Sequence, residues 1–99
     1  MPKVEPSTAV VVEGSDYPGR FAAQCADRLR HRLAHTGGLT TLGVNLTQLP
    51  PGQWSSQRHW HSHEDEFVYV LDGEVVLVEE TGETLLGAGD SAAFPKGAP

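Results

Sequence analysis

The sequence predicts an all-β domain, built as an antiparallel sandwich or barrel, and two observations support this. From Leu39 onward the chain consists of short apolar stretches of strand length, separated by glycine-containing turns such as Asp72-Gly73. No helical pattern that could connect parallel strands falls between these stretches. A chain of 99 residues is long enough for one small domain.

Each predicted strand after residue 38 ends at its own turn. The alternating stretch LTTLGVNLTQL ends at the turn of Pro50 to Gly52. EFVYVL ends at Asp72-Gly73, from which EVVLVEE is expected to run back as the second strand of a hairpin. Turns at Thr81 to Glu83 and Gly87 to Asp90 then enclose TLLG and lead to a last short strand, SAAFP.

Residues 1–38 are predicted to form an N-terminal strand and a covering segment, while residues 39–99 form the barrel core of the same single domain. The β-branched run AVVVEG, from Ala9 to Gly14, predicts a strand at a sheet edge. In YPGRFAAQCADRLRHRLAHTGG, apolar residues recur at every fourth position from Phe21 to Leu33, which favours one amphipathic helix. The alternatives are an irregular covering segment, or a strand in which leucines alternate with arginines.

Composition excludes several classes of partner. Lys and Arg number 7 against 13 Asp and Glu, a formal charge of -6, so the chain lacks the broad positive field that attracts nucleic acid or anionic lipid. The basic stretch DRLRHRLAH is interpreted as a solvated face. The apolar run near the N-terminus is too short for a signal peptide or a membrane span. The single cysteine, Cys25, fits a reducing compartment, and we expect a cytoplasmic protein.

The stretch RHWHSHEDEF, from Arg58 to Phe67, is the candidate functional site. In an extended strand His59 and His61 share one face, and Glu66 follows on the next strand, on the same face as Val70. A carboxylate beside an apolar interior needs a partner charge or a metal. Two imidazoles and one carboxylate suit one divalent ion of iron, manganese, zinc or nickel. The alternative for the same residues is a hydrated, charged surface.

These residues also resemble the first signature of the cupin superfamily, which in words is a glycine, a spacer, HxH, a short spacer, a glutamate, six residues and a glycine. Here Gly52 precedes QWSSQR, and His59 and His61 precede SHED. Glu66 is followed by FVYVLD and then Gly73. The gap between Gly52 and His59 is one residue longer than in the usual form and lies in a loop.

The stretch LLGAGDSAAFPKGAP is similar to the opening of the second cupin signature, with Gly89-Asp90 at a turn position. The two signatures extend the resemblance over about Leu39 to Pro99, and the chain is most similar to small single-domain bacterial cupins. In that family the second signature continues to a further histidine, the fourth protein ligand, which is due beyond Pro99. We therefore expect a chain truncated within the second motif. The alternatives are that His63 substitutes, or that the site has three protein ligands.

The resemblance implies a double-stranded β-helix, or jelly-roll barrel, of a kind that commonly forms homodimers. It implies His59, His61 and Glu66 as ligands of one divalent metal, with a small organic molecule as substrate or ligand. For an enzyme, it implies metal-dependent dioxygenase, isomerase or decarboxylase chemistry, and it assigns no further catalytic residue. Competing hypotheses are a non-catalytic module that senses a metabolite or a metal, and a degenerate fragment without function.

Overall fold

The computed structural model describes residues 2–14, 22–55 and 63–97, and every strand pair in these ranges is antiparallel. The chain divides into two compact units, residues 1–57 and 58–99. The strands are β1 (Val10–Glu13), β2 (Leu29–Arg32), β3 (Asn45–Gln48), β4 (Glu66–Tyr69), β5 (Glu74–Glu79), β6 (Gly82–Gly87) and β7 (Ser91–Phe94). Helical structure in the described ranges comprises 3-10 turns at Pro6–Thr8 and Ala23–Cys25 and the single α-helical turn α1 (Leu33–Thr36). None of these helices is long and apolar enough to cross a membrane. The prediction of an all-β antiparallel fold is confirmed.

The first unit is organised by a three-stranded sheet in the order β1-β2-β3. The central strand β2 is half-buried along its whole length, because β1 pairs along one edge and β3 along the other. The helix α1 follows directly, and the backbone N–H groups of Leu33 and Ala34 both donate to the carbonyl of Val44. Cys25 and Ala34 are the buried apolar side chains described in this unit, at 0% and 5% exposure.

The single amphipathic helix predicted for this segment, with its stop at Gly37, is wrong in the part of it that the structure describes. This part contains the 3-10 turn of residues 23–25, then β2, then the single turn α1. In β2, Arg30 and Arg32 alternate with Leu29 and His31, and the backbone groups of the strand bond to β1 and β3 rather than to one another. Pairing with strands distant in sequence has therefore outweighed the helical spacing of the apolar residues. The interpretation of the arginines as a solvated face is also wrong, since Arg28 is only 8% exposed and Arg30 and Arg32 are half-buried.

The second unit contains two separate two-stranded ladders, β4 with β7 and β5 with β6. A turn is present close to the one predicted at residues 81–83, but it consists of Glu80 and Thr81, because Glu79 pairs with Gly82 and closes a tight β5–β6 hairpin. The hairpin predicted between EFVYVL and EVVLVEE is wrong as a pairing. The chain does turn at Gly73, which has a φ of 76°, but β4 is hydrogen-bonded to β7. A turn sequence specifies where the chain bends and not which strand becomes the neighbour. The division into residues 1–38 and 39–99 stays a prediction.

Candidate functional site

Glu66 is the first residue of β4, and its position determines which way its side chain faces. Alternation along the strand places Glu66, Val68 and Val70 on one side. Val70 and Val68 are 6% and 38% exposed, whereas Phe67 and Leu71, on the opposite side, are 65% and 69% exposed. Glu66 therefore lies on the same side as Val70, but its own side chain is exposed, like every side chain of β4.

The pairing of β4 with β7 brings the two cupin-like stretches together. Glu66 lies opposite Phe94, so the glutamate of the first stretch sits beside the strand that belongs to the second. One residue earlier, the Asp65 carboxylate accepts a hydrogen bond of 2.9 Å from the backbone N–H of Lys96. Asp65 therefore fixes the chain where it leaves β7, which is a structural role for one of the acids neighbouring Glu66.

The turn before β7 holds the far end of β4. Gly89 has a φ of 91°, a backbone conformation that favours glycine, and its N–H donates to the carbonyl of Val70 at 2.8 Å. The N–H of Val70 donates in return to the carbonyl of Asp90, at 2.9 Å. The Asp90 carboxylate accepts from the N–H of Gly87 at 2.8 Å. Gly89-Asp90 thus occupies a turn, as the sequence predicts, and this turn continues the hydrogen bonding of β4 beyond Tyr69 through one bond to Gly89 and one to Asp90.

The predicted ligands His59 and His61 lie outside the residues that the structure describes. Glu66 and the neighbouring His63 lie within those residues, and His63 is exposed. Within the described ranges no three His, Cys, Asp or Glu side chains come together in a way that could hold a metal ion. The assignment of His59, His61 and Glu66 as a metal site stays a prediction.

The segment that leads to His59 is firmly held as far as Ser55. Gln53 interacts through both ends of its side-chain amide: the oxygen accepts from the N–H of Asp27 at 2.9 Å, and the nitrogen donates to the carbonyl of Ala23 at 3.4 Å. The backbone N–H of Trp54 donates to the carbonyl of Gln24 at 2.6 Å. Residues 23–27 therefore hold residues 53 and 54 in a fixed register.

Arg28 continues this set of contacts and is the important residue that sequence reasoning missed. Its Nε donates to the carbonyl of Gly14 at 2.9 Å, and its Nη1 donates to the carbonyl of Ser55. The side chain is 8% exposed, so a guanidinium inside the first unit ties the end of β1 to a residue four positions before His59. No sequence signal identifies it, because an arginine in a basic stretch has the pattern of a solvated residue.

The fold and the position of Glu66 define a small antiparallel β protein in which an exposed carboxylate begins a strand of otherwise uncharged residues. The family model described as "Cupin domain" matches residues 45–99, more than half of the chain. The chain belongs to the cupin family.

One solved structure shows how far the likeness extends. A sugar phosphate isomerase of the cupin superfamily from Silicibacter pomeroyi matches with a TM-score of 0.93 and 47% sequence identity, over 99% of this chain. The chain spans about 62% of the length of that protein. No curated protein matches the chain. The cupin fold predicted from the two signatures is confirmed by these comparisons.

Proposed function

We propose that this cupin binds one divalent metal through His59, His61 and Glu66 and isomerises a small phosphorylated sugar. The observation that supports the metal site is the position of Glu66, at the start of β4 on the strand face that also carries buried Val70. Its exposed carboxylate supplies a hard oxygen donor five residues after His61, and such an oxygen suits a divalent first-row ion.

The donor set fits an iron, manganese, zinc or nickel ion. Two neutral imidazoles and one hard carboxylate oxygen are ligands that these ions share, and they leave coordination positions for a substrate. Such an ion, when bound, would act as a Lewis acid on a carbonyl or hydroxyl oxygen. Glu66 would contribute the negative charge, and His59 and His61 would ligate only in their neutral form.

The choice of a phosphorylated sugar rests on similarity. The protein from Silicibacter pomeroyi is described as a sugar phosphate isomerase, and 47% identity over nearly the whole of this chain makes a related substrate class the best-supported choice. Because the chain spans about 62% of that protein, the activity of the whole protein is part of the proposal. Homodimer formation is proposed from the family resemblance, and a cytoplasmic location from the single cysteine, Cys25, which fits a reducing compartment.

Metal analysis of protein purified without nickel resin tests the site. We expect one divalent ion per chain in the wild type and loss of that ion in His59→Ala, His61→Ala and Glu66→Gln. His63→Ala and Glu64→Gln are matched controls, because these side chains are exposed neighbours of the same types. Retention of metal by Glu66→Gln, or equal loss in Glu64→Gln, contradicts the assignment. Loss in His63→Ala would instead make His63 a ligand.

Acidification gives a second measurement. Protonated imidazole cannot ligate, so the metal should be retained at neutral pH and released as the pH falls through about 6. Metal content that is insensitive to this acidification is inconsistent with histidine ligation.

Turnover separates the enzyme from a binding module. Metal-loaded protein should interconvert the aldose and ketose forms of a sugar phosphate, a reaction that NMR follows directly, and Glu66→Gln should abolish it. Saturable binding without interconversion would identify a sensing module in place of an isomerase.

A further inference from the structure

The central strand of the first unit presents an arrangement of polar side chains that the metal site does not use. Arg30 and Arg32 are two residues apart in β2 and therefore lie on the same face of the sheet. On β3, Arg30 lies opposite Thr47 and Arg32 lies opposite Asn45. Directly paired residues share a face, so two guanidinium groups, a hydroxyl and an amide form two adjacent cross-strand pairs. We call these four residues the arginine face.

Within the part of the chain that the structure describes, the arginine face is not neutralised by an ion pair. Among the described residues, the ion pair within 4 Å joins Lys3 to Glu5, and none involves Arg30 or Arg32. The one acid of β1, Glu13, pairs with Leu29 and so faces the other side of the sheet. In a chain with a formal charge of -6, these two arginines concentrate positive charge in one place.

The partial burial of these two arginines favours the binding of an anion. Both arginines are half-buried, and Nε of Arg30 is shielded from solvent without a hydrogen-bond partner in the part of the chain that the structure describes. Buried donors without acceptors are few in folded proteins, and each calls for an explanation. A bound anion would supply the acceptor that this Nε lacks among the described residues.

We propose that the arginine face binds the phosphate group of a small phosphorylated molecule. Guanidinium groups donate in a planar fork that matches phosphate oxygens, and the half-buried position strengthens each hydrogen bond. The hydroxyl of Thr47 and the amide of Asn45, both exposed, supply further donors. Strand spacing places the four Cα atoms at the corners of an area of about 5 by 7 Å, which suits one phosphate rather than a polyanion.

The class of molecule rests on the proposed function, which names a phosphorylated sugar, but the arginine face does not depend on the metal. None of its four residues belongs to the predicted ligand set of His59, His61 and Glu66. Phosphate binding and metal binding can therefore be measured separately and can fail separately.

Calorimetric titration of the chelator-treated full chain at low ionic strength is the test. The three probes are inorganic phosphate, a hexose phosphate and the unphosphorylated hexose. We expect both phosphorylated probes to bind, the sugar ester more tightly, and the bare hexose not to bind. Arg30→Gln and Arg32→Gln should each weaken binding about tenfold or more, since each removes a charged donor. Lys3→Gln, an exposed cation of the same unit, should leave binding unchanged.

The outcomes distinguish this inference from the metal proposal. Equal affinity in the wild type and both arginine variants, or equal binding of the unphosphorylated hexose, overturns the arginine face. Phosphate binding that survives chelation and needs the arginines supports it even if no metal is found. If an arginine variant fails to fold, Thr47→Val and Asn45→Leu replace exposed strand residues and should each weaken phosphate binding several-fold. Unchanged affinity in both of these folded variants overturns the proposal as well.

Discussion

Replacing Arg28 by methionine should destabilise the first unit through two lost hydrogen bonds. The guanidinium donates to the carbonyls of Gly14 and Ser55 from a side chain that is 8% exposed. A hydrogen bond from a charged donor contributes about 1.5 to 3 kcal/mol, so the two together contribute about 3 to 6 kcal/mol. Methionine restores part of this because it avoids burying a charge, which leaves an expected loss of about 3 kcal/mol. For a chain of 99 residues that is a large part of a total stability of about 5 to 15 kcal/mol.

Urea unfolding followed by tryptophan fluorescence measures this loss, and Trp54 adjoins one of the two bonded carbonyls. Arg28→Lys should lose about half as much as Arg28→Met, because one ammonium cannot reach both carbonyls in the same fork geometry. Lys3→Met removes a cation that is 66% exposed and should change stability by less than about 0.5 kcal/mol. If Arg28→Met costs no more than Lys3→Met, the two hydrogen bonds do not hold the segment before His59 in place.

Three further substitutions test the turns and the core by the urea midpoint. Gly89→Ala should cost about 1 to 2 kcal/mol, because φ is 91° there, while Gly43→Ala, in open space and without a positive φ, should be nearly neutral; equal effects would contradict the turn geometry. Cys25→Ser should cost about 1 to 3 kcal/mol, since it places a hydroxyl at a position with 0% exposure, and an unchanged midpoint would mean that this position is hydrated. Asp90→Ala removes the acceptor 2.8 Å from the N–H of Gly87 and should cost about 0.5 to 1.5 kcal/mol; no loss would mean that water replaces the carboxylate.

The strands and turns that the sequence predicted correctly are those specified by local chemistry. The β-branched run of β1 and the two-residue connection between β5 and β6 both carry their own signals, and Gly82 closes that hairpin with a φ of 138°. The partner of β4 could not be predicted in this way. Its pairing with β7 joins Glu66 to Phe94, which are far apart in sequence, and no local pattern encodes that choice.

In the candidate site, too, local features could be predicted from the sequence and non-local contacts could not. Strand alternation places Glu66 on the side of Val70, but alternation alone does not indicate that Glu66 is exposed, because exposure depends on what packs against β4. Arg28 was not identified, because its function depends on the carbonyls of Gly14 and Ser55, which come close only in the folded unit. The sequence does not indicate which backbone carbonyls will lie close to a given arginine in the folded protein.

The arginines of β2 show that a negative net charge does not exclude a local binding site for an anion. A formal charge of -6 argues against nucleic acid, since a polyanion requires positive potential along an extended track. A single phosphate requires only two or three donors in one place, and net charge places no limit on that. The secondary structure determines whether the two arginines can act together. In the predicted helix, Arg30 and Arg32 would lie about 200° apart around the helix axis and point to different sides. In β2 they share one face with Asn45 and Thr47. The proposed phosphate site therefore depends on this segment being a strand and not a helix.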